Sequence, residues 1–239
     1  IIAKREAILG PLQAVIGVVE RRQTMPILTN VLLSAKGGRL AVTATDLEVE
    51  LVATSEVDVQ RAGDITIPGR KLLDICRALP EGVEINLTLE GERMVVHARK
   101  SRFTLTTLPA AEFPTVDEIN AQQTLKVPQK EFKRLLEKTH FSMAQQDVRY
   151  YLNGMLLETS AKVLRSVATD GHRLALCEIE LAEGAQSGQQ VIVPRKGVLE
   201  LQRILGNEDQ ILEVSIGSNH IRVQIGDTRF TSKLIDGRF

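Results

Sequence analysis

Ala44-Thr45-Asp46 and Ala168-Thr169-Asp170 each close an alternating segment, and this recurrence decides the reading of the chain. Three further pairs keep the same order. Ile67-Pro68 followed by Arg70-Lys71 returns as Val193-Pro194-Arg195-Lys196, Arg102-Phe103-Thr104 as Arg229-Phe230-Thr231, and Glu112-Phe113 as Arg238-Phe239. The separations from Asp46, Pro68, Phe103 and Phe113 to their counterparts are 124, 126, 127 and 126 residues. A near-constant offset in unbroken order marks a duplicated structural unit. The first unit then covers 1–113, a polar linker opened by Pro114 covers 114–123, and the second unit covers 124–239. Because the second unit stops where the first meets its linker, the expectation is a truncation at a domain edge.

Each unit reads as helix, strands, helix, strands. In the first, Ile8, Leu9, Leu12, Val15, Ile16 and Val19 share a helical face. Pro11 must then sit in the first turn or kink the helix. Short alternating segments follow at 40–45 and 47–51. A second helix begins after the proline-basic signal, and strands at 84–89, 94–98 and 103–107 close the unit. The expected class is α+β, with helices gathered on one side and antiparallel sheets on the other.

Composition excludes several functions. In 239 residues, 30 Lys+Arg balance 30 Asp+Glu, so the chain does not coat nucleic acid by charge alone. No apolar run approaches the roughly 20 residues that span a bilayer, and Ile1-Ile2-Ala3-Lys4-Arg5 is no signal peptide. The expectation is a cytoplasmic protein with no membrane partner. Cys76 and Cys177 lie far apart among apolar neighbours and read as small buried hydrophobes.

Basic residues segregate on the helices. Over 129–139, Lys130, Lys133, Arg134 and Lys138 share an arc opposite Phe132, Leu135, Leu136 and Thr139. Lys196 and Arg203, and in the first unit Arg70, Lys71 and Arg77, repeat the pattern. Such faces are either simply solvated or able to meet phosphates without reading bases. Asp170-Gly171-His172-Arg173 is the stretch closest to an enzyme's, since Asp beside His can orient a base. No nucleophile in a strained turn accompanies it, and Asp46 stands at the equivalent place, so the Thr-Asp pair belongs to the scaffold. His97, His140 and His220 show no metal spacing. No catalytic residue, metal site or cofactor is expected. Tyr150 and Tyr151, the only tyrosines, follow Arg149. They either stack on exposed bases or lie in a strand with one ring packed inside.

Asp147-Val148-Arg149-Tyr150-Tyr151-Leu152-Asn153-Gly154 and Val167-Ala168-Thr169-Asp170-Gly171-His172-Arg173-Leu174-Ala175 resemble the bacterial DNA sliding clamp family, the beta subunits of DNA polymerase III. So do residues 191–197 and 230–234 and, in the first unit, 101–105 and 107–111. The resemblance covers essentially the whole chain, as the first two of three similar domains.

The resemblance implies a six-domain ring of two chains, with helices lining the hole and sheets outside. It implies a processivity factor, not an enzyme, that encircles double-stranded DNA and tethers the replicative polymerase subunit and other proteins carrying the clamp-binding motif. A clamp loader opens and closes the ring, and full-length members are homodimers. Residue by residue, it assigns peptide binding to Leu152, Thr169, Gly171, His172, Arg173 and Leu174. The rest of that pocket belongs to the third domain, so half a site is expected here. It assigns DNA contact to Arg22, Gln146, Tyr150 and Tyr151, with Arg70, Arg149 and Lys196 as neighbours by charge and position. It assigns the subunit interface to Lys71, Arg99, Arg102, Phe103 and Leu105. The competing readings are a DNA-binding module that forms no ring and a hydrolase built on Asp170 and His172.

Overall fold

Pro68, Pro128 and Pro194 each close a strand and stand immediately before a helix. Proline has no N–H for a further ladder bond and its φ already suits a helix entry, so one residue serves both ends. The computed structural model describes residues 1–21, 24–116 and 118–239. They form two units, Ile1–Thr115 and Val116–Phe239.

In the first unit the chain runs β1 (Ile2–Lys4), α1 (Arg5–Val15), β2 (Asn30–Lys36), β3 (Arg39–Thr45), β4 (Val49–Glu56), β5 (Gly63–Pro68), α2 (Gly69–Ala78), β6 (Glu84–Glu90), β7 (Arg93–Ala98) and β8 (Ser101–Thr106). Antiparallel pairing gives one sheet ordered β1-β6-β7-β8 and another ordered β5-β2-β3-β4. The second unit runs β9 (Ala121–Pro128), α3 (Gln129–Glu137), β10 (Gly154–Ser160), β11 (Val163–Thr169), β12 (Leu174–Glu180), β13 (Gln189–Pro194), α4 (Arg195–Ile204), β14 (Ile211–Gly217), β15 (His220–Ile225) and β16 (Thr228–Lys233). Its sheets are ordered β9-β14-β15-β16 and β13-β10-β11-β12. Element for element the two topologies coincide, and the α+β class follows.

The helices of each unit cover one face of its second sheet. In the first unit that face buries Val31, Leu33, Val42, Ala44, Leu51 and Ile67. In the second it buries Met155, Leu157, Ala168 and Val193, and Ser166 donates to the Leu135 carbonyl of α3 at 2.9 Å. On α3, Phe132, Leu135 and Leu136 are fully buried, which accounts for the sided pattern of its sequence.

Four readings are corrected in detail. Pro11 lies inside α1, beyond its first turn. Its missing N–H leaves the Ala7 carbonyl without its helical donor, and the Ser55 hydroxyl of β4 supplies one at 2.5 Å. The segment read as a strand from Leu47 begins only at Val49, because Asp46 folds residues 46–49 into a turn. Tyr150 and Tyr151 stand in a 3-10 turn, Tyr150–Leu152, and not in a strand. The span read as linker is irregular only at first, since β9 opens at Ala121. Gln123 there is buried, pairs in register with Ile216 and donates to Thr159 and Gln189.

Candidate functional site

The two Thr-Asp turns are built by the same hydrogen bonds. In the first unit Asp46 Oδ1 accepts the N–H groups of Glu48 (3.0 Å) and Val49 (2.7 Å), while Thr45 Oγ1 donates to the Val49 carbonyl (3.0 Å) and accepts from Leu47 (3.1 Å). In the second, Asp170 Oδ1 accepts from His172 and Arg173, both at 3.0 Å. Thr169 Oγ1 donates to the Arg173 carbonyl (2.6 Å) and accepts from Gly171 (3.1 Å). These backbone donors hold the Asp170 carboxyl below its ordinary pKa. Asp170 thus serves as the clamp of its turn, as Asp46 does in the first unit. The turn presents Gly171, His172, Arg173 and Leu174 to solvent.

Register then places an apolar row beside the turn. Val167 lies opposite Leu176 and Leu156, and Leu156 lies opposite Ile192. Cross-strand partners share a face, and this is the face turned away from the helices. Tyr151, Ile235 and Phe239 pack half-buried against Leu156, Val167 and Ile192. At the other end the row is open: Leu176 is 52% exposed and Leu174, opposite Thr169, is 63% exposed. An apolar row that opens to solvent at Leu174 and Leu176, with a polar turn along one edge, suits a short peptide carrying large apolar side chains.

Of the residues assigned to peptide binding, Thr169, Gly171, His172, Arg173 and Leu174 meet in this turn. Leu152 is buried beneath the neighbouring loop, where its carbonyl accepts from Ala144 (3.0 Å) and its N–H donates to Arg149 (2.9 Å). That loop carries Gln146, in a left-handed conformation at φ 55°, with Arg149 and Tyr150 exposed and Tyr151 turned inward onto the apolar row. The rings of Tyr150 and Tyr151 meet edge to face at 6.0 Å. One tyrosine therefore packs while the other stays free, through a turn.

The basic groups are less available than their sequence positions imply. Lys130, Lys133 and Arg134 pair with Asp209, Glu137 and Glu131, and Arg203 pairs with Glu200. Such surface pairs are weak and exchangeable, so a phosphate can compete for them. Arg70 is half-buried and donates to the Val19 carbonyl. Lys196 holds the equivalent place at the start of α4, also half-buried. Arg22 lies outside the described residues. In the first unit, Phe103 and Leu105 lie on β8, the last strand of its sheet order, Phe103 half-buried and Leu105 buried. Arg102 on that strand pairs with Glu90 at 3.2 Å, and Arg99 is exposed at the tight turn before it. Lys71 is exposed on α2 and stands apart from β8 in the chain order.

Among the described residues no group of three or more His, Cys, Asp and Glu is placed to hold a metal. No described helix is long and apolar enough to cross a membrane. The sequence reading passed over Leu156, Val167, Leu176 and Ile192 as site residues. Their alternation showed strands, and only the register of four strands reveals that they share one face.

Comparison with known proteins gives a consistent result. Residues 1–117 match the family model described as DNA polymerase III beta subunit, N-terminal domain, and residues 126–239 match that subunit's central domain. The chain is 54% identical over 237 residues to the beta sliding clamp of Pseudomonas aeruginosa, covering 99% of this chain and 65% of the relative. It superposes on a crystal structure of DNA polymerase III subunit beta from Pseudomonas aeruginosa with TM-score 0.97 and 52% identity, over 100% of this chain and 65% of that one. A sliding clamp of the same organism bound to griselimycin superposes with TM-score 0.96 and 53% identity, over 100% and 65%. The chain thus spans about two thirds of the length of the relatives it matches.

Proposed function

This chain belongs to the DNA polymerase III beta subunit family through that family's N-terminal and central domains, and on that premise we propose that it is part of a DNA sliding clamp. The two clamp domains are taken as 1–113 and 124–239. The clamp encircles duplex DNA in the bacterial cytoplasm and tethers the replicative polymerase and other proteins through a peptide docking face. It performs no bond chemistry itself. Its ring is closed by a second copy of the chain and opened by a clamp loader.

The observation that carries this reading is the apolar row Leu176–Val167–Leu156–Ile192 beside the Gly171–Leu174 turn. Its open end exposes Leu176 and Leu174 beside the turn, while Val167, Leu156 and Ile192 are buried with Tyr151, Ile235 and Phe239 packed against them, so a partner's apolar side chains would dock at the open end. A homologous sliding clamp from Pseudomonas aeruginosa binds griselimycin, and this face is where we place such a ligand here. The DNA side of the reading rests on the weakly held basic pairs of α3 and α4 and on exposed Gln146 and Tyr150. A near-neutral chain with exchangeable cations favours contact that slides over contact that grips.

Retention on closed and open DNA tests this in the full-length protein. Loaded onto a nicked circular plasmid by the clamp loader, it is expected to stay on the circle and to leave within minutes of linearisation. Equal retention on linear DNA, reduced steeply by salt, would instead identify a DNA-binding module that forms no ring.

A further inference from the structure

Gly171 and Leu47 occupy the same place in the two Thr-Asp turns, at φ 88° and 76°. Backbone strain alone does not demand glycine there, because a leucine holds the position in the first unit. The difference lies in the neighbour. A Cβ on Gly171 would come within 3.0 Å of both Nη1 and Nη2 of Arg149. Counted back by the 124 residues that separate Asp46 from Asp170, Arg149 corresponds to Met25, an exposed side chain without a guanidinium.

Arg149 is held on both sides. Its Nε and Nη2 donate to the two carboxylate oxygens of Asp147 at 3.0 and 2.9 Å, and Nη2 also donates to the Asp170 carbonyl at 3.4 Å. Asp147 is fixed in turn by Asn153, whose side-chain oxygen accepts from the Asp147 N–H and whose amide donates to the Asp147 carbonyl, both at 2.9 Å. The guanidinium lies flat where a side chain on Gly171 would stand.

We infer that Arg149 is a positioning residue: a strut, made possible by Gly171, that fixes the Thr169–Leu174 turn as the wall of the peptide site and joins it to the loop bearing Gln146 and Tyr150. The inference rests on the reading of this face as a peptide site. It gives Arg149 a role within the protein in place of a phosphate contact, and it makes any displacement of the 146–151 loop felt at the peptide wall.

A double-mutant cycle tests it, because Arg149→Met with Gly171→Leu recreates the Met25 and Leu47 pair of the first unit. The readout is amide hydrogen exchange at His172 and Arg173, with Glu48 and Val49 in the first unit's turn as internal reference. Gly171→Leu alone is expected to speed exchange at the second turn about tenfold, and adding Arg149→Met is expected to restore most of that loss. Arg149→Lys alone keeps the charge but not the planar two-nitrogen grip, and exchange should become faster than in the parent. An equal effect of Gly171→Leu with or without Arg149, or native exchange in Arg149→Lys, would overturn the strut. Griselimycin affinity separates this inference from the reading beneath it. Arg149→Lys is expected to bind about tenfold more weakly than the parent, the double variant is expected to bind more nearly as the parent does, and undiminished binding in Arg149→Lys would overturn the positioning role. A parent chain that fails to bind griselimycin would count against the peptide site, while the exchange cycle would still decide the strut.

Discussion

The faces of the two units turned away from their helices share a backbone and differ in chemistry. In the second unit the cross-strand row reads Leu176, Val167, Leu156, Ile192; in the first the same register reads Val52, Thr43, Leu32, Thr66. Thr66 is fully buried, donates to the Leu108 carbonyl at 2.9 Å and accepts from the Asn30 amide at 3.0 Å. Its counterpart Ile192 is 2% exposed and packs among Tyr151, Ile235 and Phe239, and Gly154 stands where Asn30 would be. In the first unit Ile27, Leu28 and Phe113 form a buried cluster with Leu32 and Leu108 against it. The two units thus share a scaffold, and their corresponding rows differ in composition, with Val167 and Ile192 in the second where Thr43 and Thr66 stand in the first.

Exchanging the chemistry of the two rows gives the largest effects. Ile192→Thr buries a hydroxyl with no Asn30 equivalent to meet it and removes apolar volume. It is expected to cost about 3 kcal/mol in urea unfolding. A neutral outcome would mean that the row is not a packed apolar face. The reciprocal change, Thr66→Val, leaves the Asn30 amide without its acceptor and should cost about 1–2 kcal/mol by the same measurement, although it makes the first unit more apolar. Ser55→Ala sharpens the account of Pro11: losing the hydroxyl that meets the Ala7 carbonyl should cost about 1 kcal/mol. The smallest effect is local and acid-dependent. Arg149, through its side chain and then its backbone N–H, lowers the Asp147 pKa from 3.8 to about 2. A depressed carboxylate pKa contributes above its unfolded value and is lost as pH falls through the folded one. The Asp147–Arg149 pair should therefore persist at pH 4 and dissolve towards pH 2. A carboxylate titration by NMR with a midpoint near 4 would contradict the pairing.

Much of this architecture was legible before any coordinates. Four anchors with near-constant offset gave the duplication, and prolines 68 and 194 marked helix starts that the structure keeps. Alternation located β6, β7 and β8 to within a residue or two at their ends. What escaped depended on single side chains acting on backbone. Asp46 accepting two N–H groups delays β4 to Val49, and Ser55, 48 residues from Ala7, lets Pro11 stand inside a helix. The site was half legible. The turn 169–174 could be quoted from sequence, but the apolar row needs the register of four strands, and alternation alone does not say which strands pair. Charge was the least reliable guide, since the acids that pair with Lys130, Lys133 and Arg134 sit on other parts of the sequence pattern or on the same helix.

The most direct measurement is an NMR titration of the chain with griselimycin. Shifts are expected only in the second unit, at Leu156, Val167, Leu176, Ile192 and the Thr169–Leu174 turn, with the first unit's Leu32, Thr43, Val52 and Thr66 unmoved. No shifts along the second row, or equal shifts on both, would contradict a peptide site peculiar to the second unit.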